Sequence, residues 1–240
     1  MTGGGVQGAR IATVPVSAPQ WLAAIVVITV IGFQPSSTRT TTPIDWAHAL
    51  HGITALGWST TLVGQAWLAE QRRREAHRLL AVAGVLFAVG LVATALPMLA
   101  SLASGALATA GFRPIGLRLL AMDCLLLALF MVLFAVAIAF VRTPAVHARA
   151  LAATGLLALP AGLGRLYMRL FAIDPMRGSH LALGTAALLL VALIVADRRA
   201  GVRDVVHPLV LGAMLAVALL TGVIADAPWF AWWAQQIAGA

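Results

Sequence analysis

Six histidines are the residues of this 240-residue sequence whose type and placement most directly suggest chemistry. Each lies at or near one end of a long apolar segment. His77, His147 and His207 follow arginine-rich stretches, and we call them the inner group. The outer group stands at the opposite segment ends and comprises His48, His51 and His180. Imidazoles placed in this way can bind heme or a metal ion, or carry protons.

The surroundings of His77 and His147 favour a heme pocket. Glycine near an imidazole leaves room for a flat macrocycle, and arginine can pair with the heme propionates. Each of the two histidines has such neighbours nearby in sequence, namely Gly84 and Arg78 for the first, Gly155 and Arg149 for the second. A histidine beside a basic loop can equally be a simple interfacial residue, and the sequence leaves these two interpretations about even.

The outer group allows three interpretations. Asp45, His48 and His51 are spaced by three residues and therefore share one face of a helix. Together they could bind zinc or iron, which imidazole and carboxylate ligands suit. Alternatively, His51 and His180 could bind a second heme, or the group could line a polar mouth open to water.

The remaining polar residues inside apolar segments favour structural roles. We expect His207, which precedes a proline, to mark the start of a helix. Asp123 is the deepest carboxylate, and an ion pair with Arg118 or Arg165 is favoured over a proton relay. Gln65 is expected to form a hydrogen bond between helices.

These residues must be positioned by membrane-spanning helices. Apolar residues make up 61% of the chain and charged residues only 10%, with a mean hydropathy of +0.96, values that exclude an ordinary soluble enzyme. Long apolar runs without two-residue alternation predict helices of about 20 residues. Seven such segments are predicted, at residues 18–33, 45–69, 77–100, 116–141, 146–167, 179–196 and 206–224.

The charge composition excludes several functions. The 16 basic residues are all arginine, so neither a retinal Schiff base nor a P-loop can form. A basic excess in a membrane protein reflects loop orientation, and we expect no nucleic acid as a partner. The single Cys124 permits no internal disulfide.

Arginine placement predicts the orientation of the chain. The arginine-rich stretches lie at residues 70–75, 142–144 and 197–203, which are expected to be cytoplasmic. The N-terminus would then be cytoplasmic, with an uncleaved first helix, and the C-terminus outside. The aromatic tail at residues 228–233 is expected to anchor at the interface with the lipid headgroups. We expect a multi-pass protein of the bacterial cytoplasmic (inner) membrane.

The domain organisation predicted from these segments is simple. Residues 1–240 form one integral membrane domain, in which residues 18–33 are a peripheral first helix. Residues 45–170 form a four-helix core that could bind a cofactor, and residues 179–240 add two helices and the aromatic tail.

Four short motifs resemble those of an uncharacterised family of bacterial multi-helix membrane proteins. They are Leu50-His51-Gly52, Ala76-His77-Arg78-Leu79-Leu80, Gly111-Phe112 and Val146-His147-Ala148-Arg149-Ala150-Leu151. The resemblance covers residues 48–170. More distantly, the layout is similar to di-heme b-type cytochromes, in which four core helices carry two stacked hemes near opposite membrane faces. That similarity implies electron transfer, with His77 and His147 as the cytoplasmic-side ligands.

The outer side departs from the cytochrome pattern. In such cytochromes the second and fourth core helices each supply an outer histidine, whereas the fourth segment here has none. His180 would have to replace the missing ligand, or the protein would carry one heme b or none.

Three functions follow as expectations. The first is a membrane-embedded, b-type cytochrome-like protein that exchanges electrons with a quinone or a redox protein; any enzymatic activity would be that of a heme-dependent oxidoreductase. The second is a heme-free accessory or assembly subunit of a larger respiratory or photosynthetic complex. The third is a proton or metal transporter that uses Asp45, His48, His51 and Asp123.

Overall fold

The computed structural model describes residues 17–34 and 46–239. These two stretches form nine α-helices and contain no strand. The helices are α1 (Ala18–Phe33), α2 (Trp46–Glu70), α3 (Arg74–Ala108), α4 (Arg113–Ala139), α5 (Pro144–Leu156), α6 (Leu159–Phe171), α7 (Pro175–Arg199), α8 (Val206–Ala225) and α9 (Pro228–Ala238). The predicted all-helical class is confirmed.

Five helical stretches in this part of the chain are long and apolar enough to cross a membrane. They are α3, α4, the joined pair α5 and α6, α7 and α8. The protein is therefore a multi-pass membrane protein. α2 has 25 residues but carries several Ser, Thr and Gln residues, and α1 has only 16 residues. Seven spans remain a prediction.

The predicted segment 146–167 is bent at its centre. Pro160 has no N–H to donate to the carbonyl of Leu156, so regular helix cannot continue through this point. Around the bend, Leu157 N donates to Thr154 O at 3.3 Å and Ala158 N to Gly155 O at 3.2 Å, a tighter turn than an α-helix. α5 and α6 are therefore two halves of one crossing.

Successive helices pack mainly against their neighbours in the chain. α4 also packs on α8, and α1 lies against α6 and α2 with Leu22 and Ile25 buried. The largest apolar core joins α1 with α4 to α8, and a smaller core around Trp58 joins α1 to α4. α9 packs on α3 through Phe230 and Ala234, while Trp229 and Trp232 stay exposed.

The two ends of the bundle differ in charge. We call the end that carries the α2–α3, α4–α5 and α7–α8 connections the arginine-rich end. Of the arginines in the described residues, nine lie at this end, at positions 72, 73, 74, 78, 142, 149, 198, 199 and 203. Five lie toward the other end, at positions 113, 118, 165, 169 and 177. This bias is in the direction expected for a cytoplasmic arginine-rich end.

Candidate functional site

His77 lies in the first turn of α3 and contacts the end of α2. Its Nδ1 is 3.3 Å from the backbone carbonyl oxygen of Gln65, and Gln65 Nε2 donates to the carbonyl of His77 at 3.0 Å. The interhelical hydrogen bond predicted for Gln65 is therefore present. A carbonyl can only accept, so the ring carries its proton on Nδ1 and leaves the Nε2 lone pair for a ligand.

His147 repeats this arrangement on α5. Its Nδ1 is 2.8 Å from the carbonyl oxygen of Ala137 in the last turns of α4. This contact selects the same tautomer, again leaving the Nε2 lone pair. Metal-bound histidines typically donate their second ring nitrogen to such a carbonyl or carboxylate.

The two histidines lie at a common depth, which Trp58 of α2 defines. Trp58 Nε1 donates to Thr154 Oγ1 of α5 at 3.2 Å, and Gly84 of α3 faces the same indole ring. His77 precedes Gly84 by seven residues, and His147 precedes Thr154 by seven. At 1.5 Å per residue, both lie about 10 Å from Trp58 toward the arginine-rich end.

Aromatic side chains fill the interior of the bundle on the side of the two histidines that faces away from the arginine-rich end. The Trp58 ring lies edge-on to Phe130 and Phe134, with ring centroids 5.7 and 5.5 Å apart. Phe130 and Phe134 stack on each other at 6.2 Å. A cofactor bound by both His77 and His147 would therefore lie on the arginine-rich side of this aromatic layer.

The two predicted heme-pairing arginines have different surroundings. Arg78 is exposed and, with His77, lines an open cavity of 390 Å³ whose other lining residues are Leu68, Ala69, Arg72, Arg73 and Arg74. Arg149 instead points to carboxylates from the α7–α8 region. Only Arg78 is thus left in a basic cavity beside a histidine.

Arg149 belongs to a buried ionic cluster with Asp197, Asp204 and His207. Its Nη2 lies 3.0 Å from Asp197 Oδ1, and its Nε lies 3.5 Å from Asp204 Oδ1. His207 Nδ1 lies 3.2 Å from Asp197 Oδ2 and 2.9 Å from Asp204 Oδ2. His207 does begin α8, but it is also a buried member of this cluster, a role that its position in the sequence did not suggest.

Local structure places each member of the ionic cluster. Asp204 precedes α8 and accepts hydrogen bonds from the backbone N–H groups of Val206 and His207 at 3.0 and 2.9 Å. It thereby satisfies donors at the start of the helix. Asp197 lies in the last turn of α7 and Arg149 in the second turn of α5. Sequence reasoning missed both aspartates because they lie among arginines; the carboxylate three residues before His207 was the available signal.

The principal helix contacts do not bring the outer group together. His51 Nδ1 lies 3.1 Å from Thr94 Oγ1 of α3, whereas His180 is exposed on α7, which packs mainly on α6 and α8. His48 is exposed on α2. Asp45 lies outside the described residues, so only two members of the predicted Asp45–His48–His51 metal site can be placed.

Asp123 is exposed on α4 and experiences the positive charge of Arg165 on α6. The other expected partner, Arg118, is directed elsewhere, with its Nη2 3.2 Å from Asp226 Oδ2. Arg165 also lies over the ring of Phe33, 4.2 Å from the ring centroid. Neither predicted partner, both of which lie in the described residues, forms an ion pair with Asp123 within 4 Å, and Arg165 acts on it only at longer range.

Comparisons of this chain with protein families, with curated proteins and with solved structures find no match.

Proposed function

We propose that this protein transfers electrons in the membrane through one heme b bound between His77 and His147. The main support for the proposal is that the two imidazoles have the same tautomer and the same kind of hydrogen-bond partner. They lie at one depth, each has Nδ1 at a backbone carbonyl, and each keeps Nε2 for a ligand. Two neutral imidazoles are ligands that would suit the iron of an electron-transferring b-type heme.

The chain's own residues would hold and orient the group. The carbonyl oxygens of Gln65 and Ala137 fix the tautomers of the two rings and limit their rotation. Arg78 is assigned to the propionates, because Arg149 already contacts two carboxylates. When bound, the heme supplies reversible one-electron chemistry.

The proposal is for a single heme. His51 has Thr94 as its neighbour, and His180 lies on a helix that packs elsewhere. These two outer histidines therefore do not share the matched backbone-carbonyl contacts that distinguish His77 and His147. We propose a quinone or a redox protein as the electron donor or acceptor, and the bacterial cytoplasmic membrane as the location.

The test is the absorption spectrum of the full-length protein, purified in detergent from heme-replete cells. We expect a reduced-minus-oxidised b-type spectrum and about one heme per chain. His77→Ala and His147→Ala should each abolish or strongly shift this spectrum, and His48→Ala serves as the control on an exposed histidine. Tryptophan fluorescence of the seven Trp residues checks that the variants are folded.

Two results would overturn the proposal. One is a colourless protein from heme-replete cells, which would leave the heme-free accessory subunit and the proton or metal transporter as the remaining functions. The other is a heme spectrum that both inner variants preserve, because the ligands would then lie elsewhere.

A further inference from the structure

We propose a second site: Asp197, Asp204 and His207 bind a divalent first-row transition metal ion such as Zn²⁺ at the arginine-rich end. Their ligand atoms lie within 4.8 Å of one another. Within the described residues, they are the one group of three or more His, Cys, Asp or Glu side chains arranged in this way. The site uses none of the residues assigned to the heme.

Besides the backbone N–H groups that donate to Asp204, each of the two carboxylates has one oxygen at Arg149 and the other at His207. Their Oδ1 atoms face Arg149, at 3.0 Å for Asp197 and 3.5 Å for Asp204. Their Oδ2 atoms face His207 Nδ1, at 3.2 and 2.9 Å. Two oxygens and one nitrogen therefore converge on one side, while the arginine holds the carboxylates from the other.

These separations are close to those of a tetrahedral metal centre. Zinc bonds of 2.0–2.1 Å to nitrogen and oxygen place neighbouring ligand atoms about 3.3 Å apart. The Nδ1–Oδ2 distances of 3.2 and 2.9 Å need a shift of only a few tenths of an ångström. The ion would take the place of the proton on Nδ1, and that proton would move to Nε2, so that the imidazole stays neutral.

The charge of the cluster favours a cation. Two carboxylates contribute −2 and Arg149 contributes +1, so the side chains retain one negative charge when the imidazole is neutral. All four side chains are at most 15% exposed, and an uncompensated charge is costly in such surroundings. A divalent ion with one bound hydroxide brings the charge of the cluster to zero, whereas the same ion with bound water leaves it at +1.

The ligands are held in place before any ion binds. Asp204 is fixed by two backbone N–H groups at the start of α8, and Asp197 by Arg149 and the last turn of α7. Donors of imidazole nitrogen and carboxylate oxygen suit Zn²⁺ and Mn²⁺ better than soft metals. Three protein ligands leave at least one coordination position for water.

Metal binding would tie together the ends of α7 and α8, and α5 through Arg149. Because the ion binds the folded arrangement of these ligands, it should raise the unfolding temperature. The expected role is that of a clamp on the α7–α8 connection.

The experiment uses full-length protein in detergent, carrying no polyhistidine tag and stripped with EDTA. Zn²⁺ is titrated calorimetrically, and bound zinc is counted by elemental analysis after desalting. We expect about one Zn²⁺ per chain, with a higher unfolding temperature. His207→Ala and Asp197→Asn should each weaken binding at least tenfold and remove the temperature shift.

Asp174→Asn is the matched control, because Asp174 pairs with Arg177 at the other end of α7. It should bind zinc as the parent protein does. If the cluster variants fail to fold, Co²⁺ bound to the parent protein gives a second measurement. Visible bands of tetrahedral Co²⁺ without thiolate charge-transfer absorption support the site. No retained metal, or zinc binding that both cluster variants preserve, overturns it, whatever the outcome of the heme test.

Discussion

The three inner histidines differ in the groups that meet their Nδ1 atoms. His77 and His147 face backbone carbonyls, which are neutral and fix one tautomer. His207 faces two carboxylates and sits within reach of a guanidinium group. The first two rings can each donate the Nε2 lone pair to the metal of a cofactor. The third ring can share a proton with the two carboxylates or bind a cation together with them.

At the scale of single residues, we expect Arg149→Ala to destabilise the metal-free protein by about 3 to 5 kcal/mol. The substitution leaves two buried carboxylates without their cationic partner, which is the costly way to break a buried ion pair. Unfolding in SDS, followed by tryptophan fluorescence in EDTA, measures the loss.

Arg118→Ala is the control for this prediction. Its partner Asp226 is 66% exposed, so the loss should be roughly 0 to 1 kcal/mol. Similar losses for the two variants would contradict the interpretation that burial makes the Arg149 contacts important.

At the scale of helices, close packing of α1 on α6 depends on glycine. A Cβ atom at Gly32 would overlap the backbone carbonyl of Gly162, and one at Gly162 would lie 2.5 Å from Thr29 Cα. Backbone atoms of a helix cannot avoid an overlap by a rotamer change, as side-chain atoms can. Glycines at such contacts let membrane helices approach closely, so these positions keep α1 seated in the bundle.

We expect Gly162→Ala to destabilise the protein by about 1 to 3 kcal/mol, because the added methyl group forces α1 and α6 apart. Gly184→Ala on α7 is the control, since a Cβ there meets no atom within 4 Å. Its higher helix propensity should stabilise by up to about 1 kcal/mol. Thermal unfolding of both variants measures the difference, and an unchanged Gly162→Ala protein would contradict the tight contact.

The sequence predicts the helices more completely than the sites. The segments 18–33 and 206–224 agree with α1 and α8 within one residue, because their apolar runs have clear ends. α3 continues to Ala108, eight residues beyond the predicted end at 100, because Ser101 and Ser104 remain compatible with helix. The bend at Pro160 was visible as a proline, but its effect on the path of the helix was not predicted.

The ionic cluster could not be predicted in the same way. Arg149 and Asp197 are 48 residues apart, and only the packing of α5 beside the α7–α8 connection brings them together. Hydropathy reports which residues avoid water, whereas this contact depends on rotation of each helix about its axis. The pairing of Arg118 with Asp226, 108 residues apart, was missed for the same reason.

At the scale of the whole molecule, the uneven arginine distribution predicts the orientation in the membrane. We expect a cysteine introduced as Ala200→Cys to face the cytoplasm and one introduced as Gly111→Cys to face outside. Both positions are exposed in connections at opposite ends of the bundle. The background carries Cys124→Ala, which removes the natural thiol.

The measurement is labelling by a membrane-impermeant maleimide. Intact spheroplasts should label the position-111 variant at once, and the position-200 variant only after permeabilisation. The reverse pattern would contradict the predicted orientation. Equal labelling of both variants in intact spheroplasts would mean that the protein inserts in both orientations.

The helices differ greatly in length, so a bilayer of a given thickness matches some of them better than others. α8 has 20 residues and α3 has 35, which correspond to about 30 and 52 Å. A hydrocarbon layer of about 30 Å matches α8 without any spare turn. A bilayer with longer acyl chains would therefore be mismatched first at the two ends of α8, and Asp204 and His207 lie at its start. Bilayer thickness should thus affect the ionic cluster.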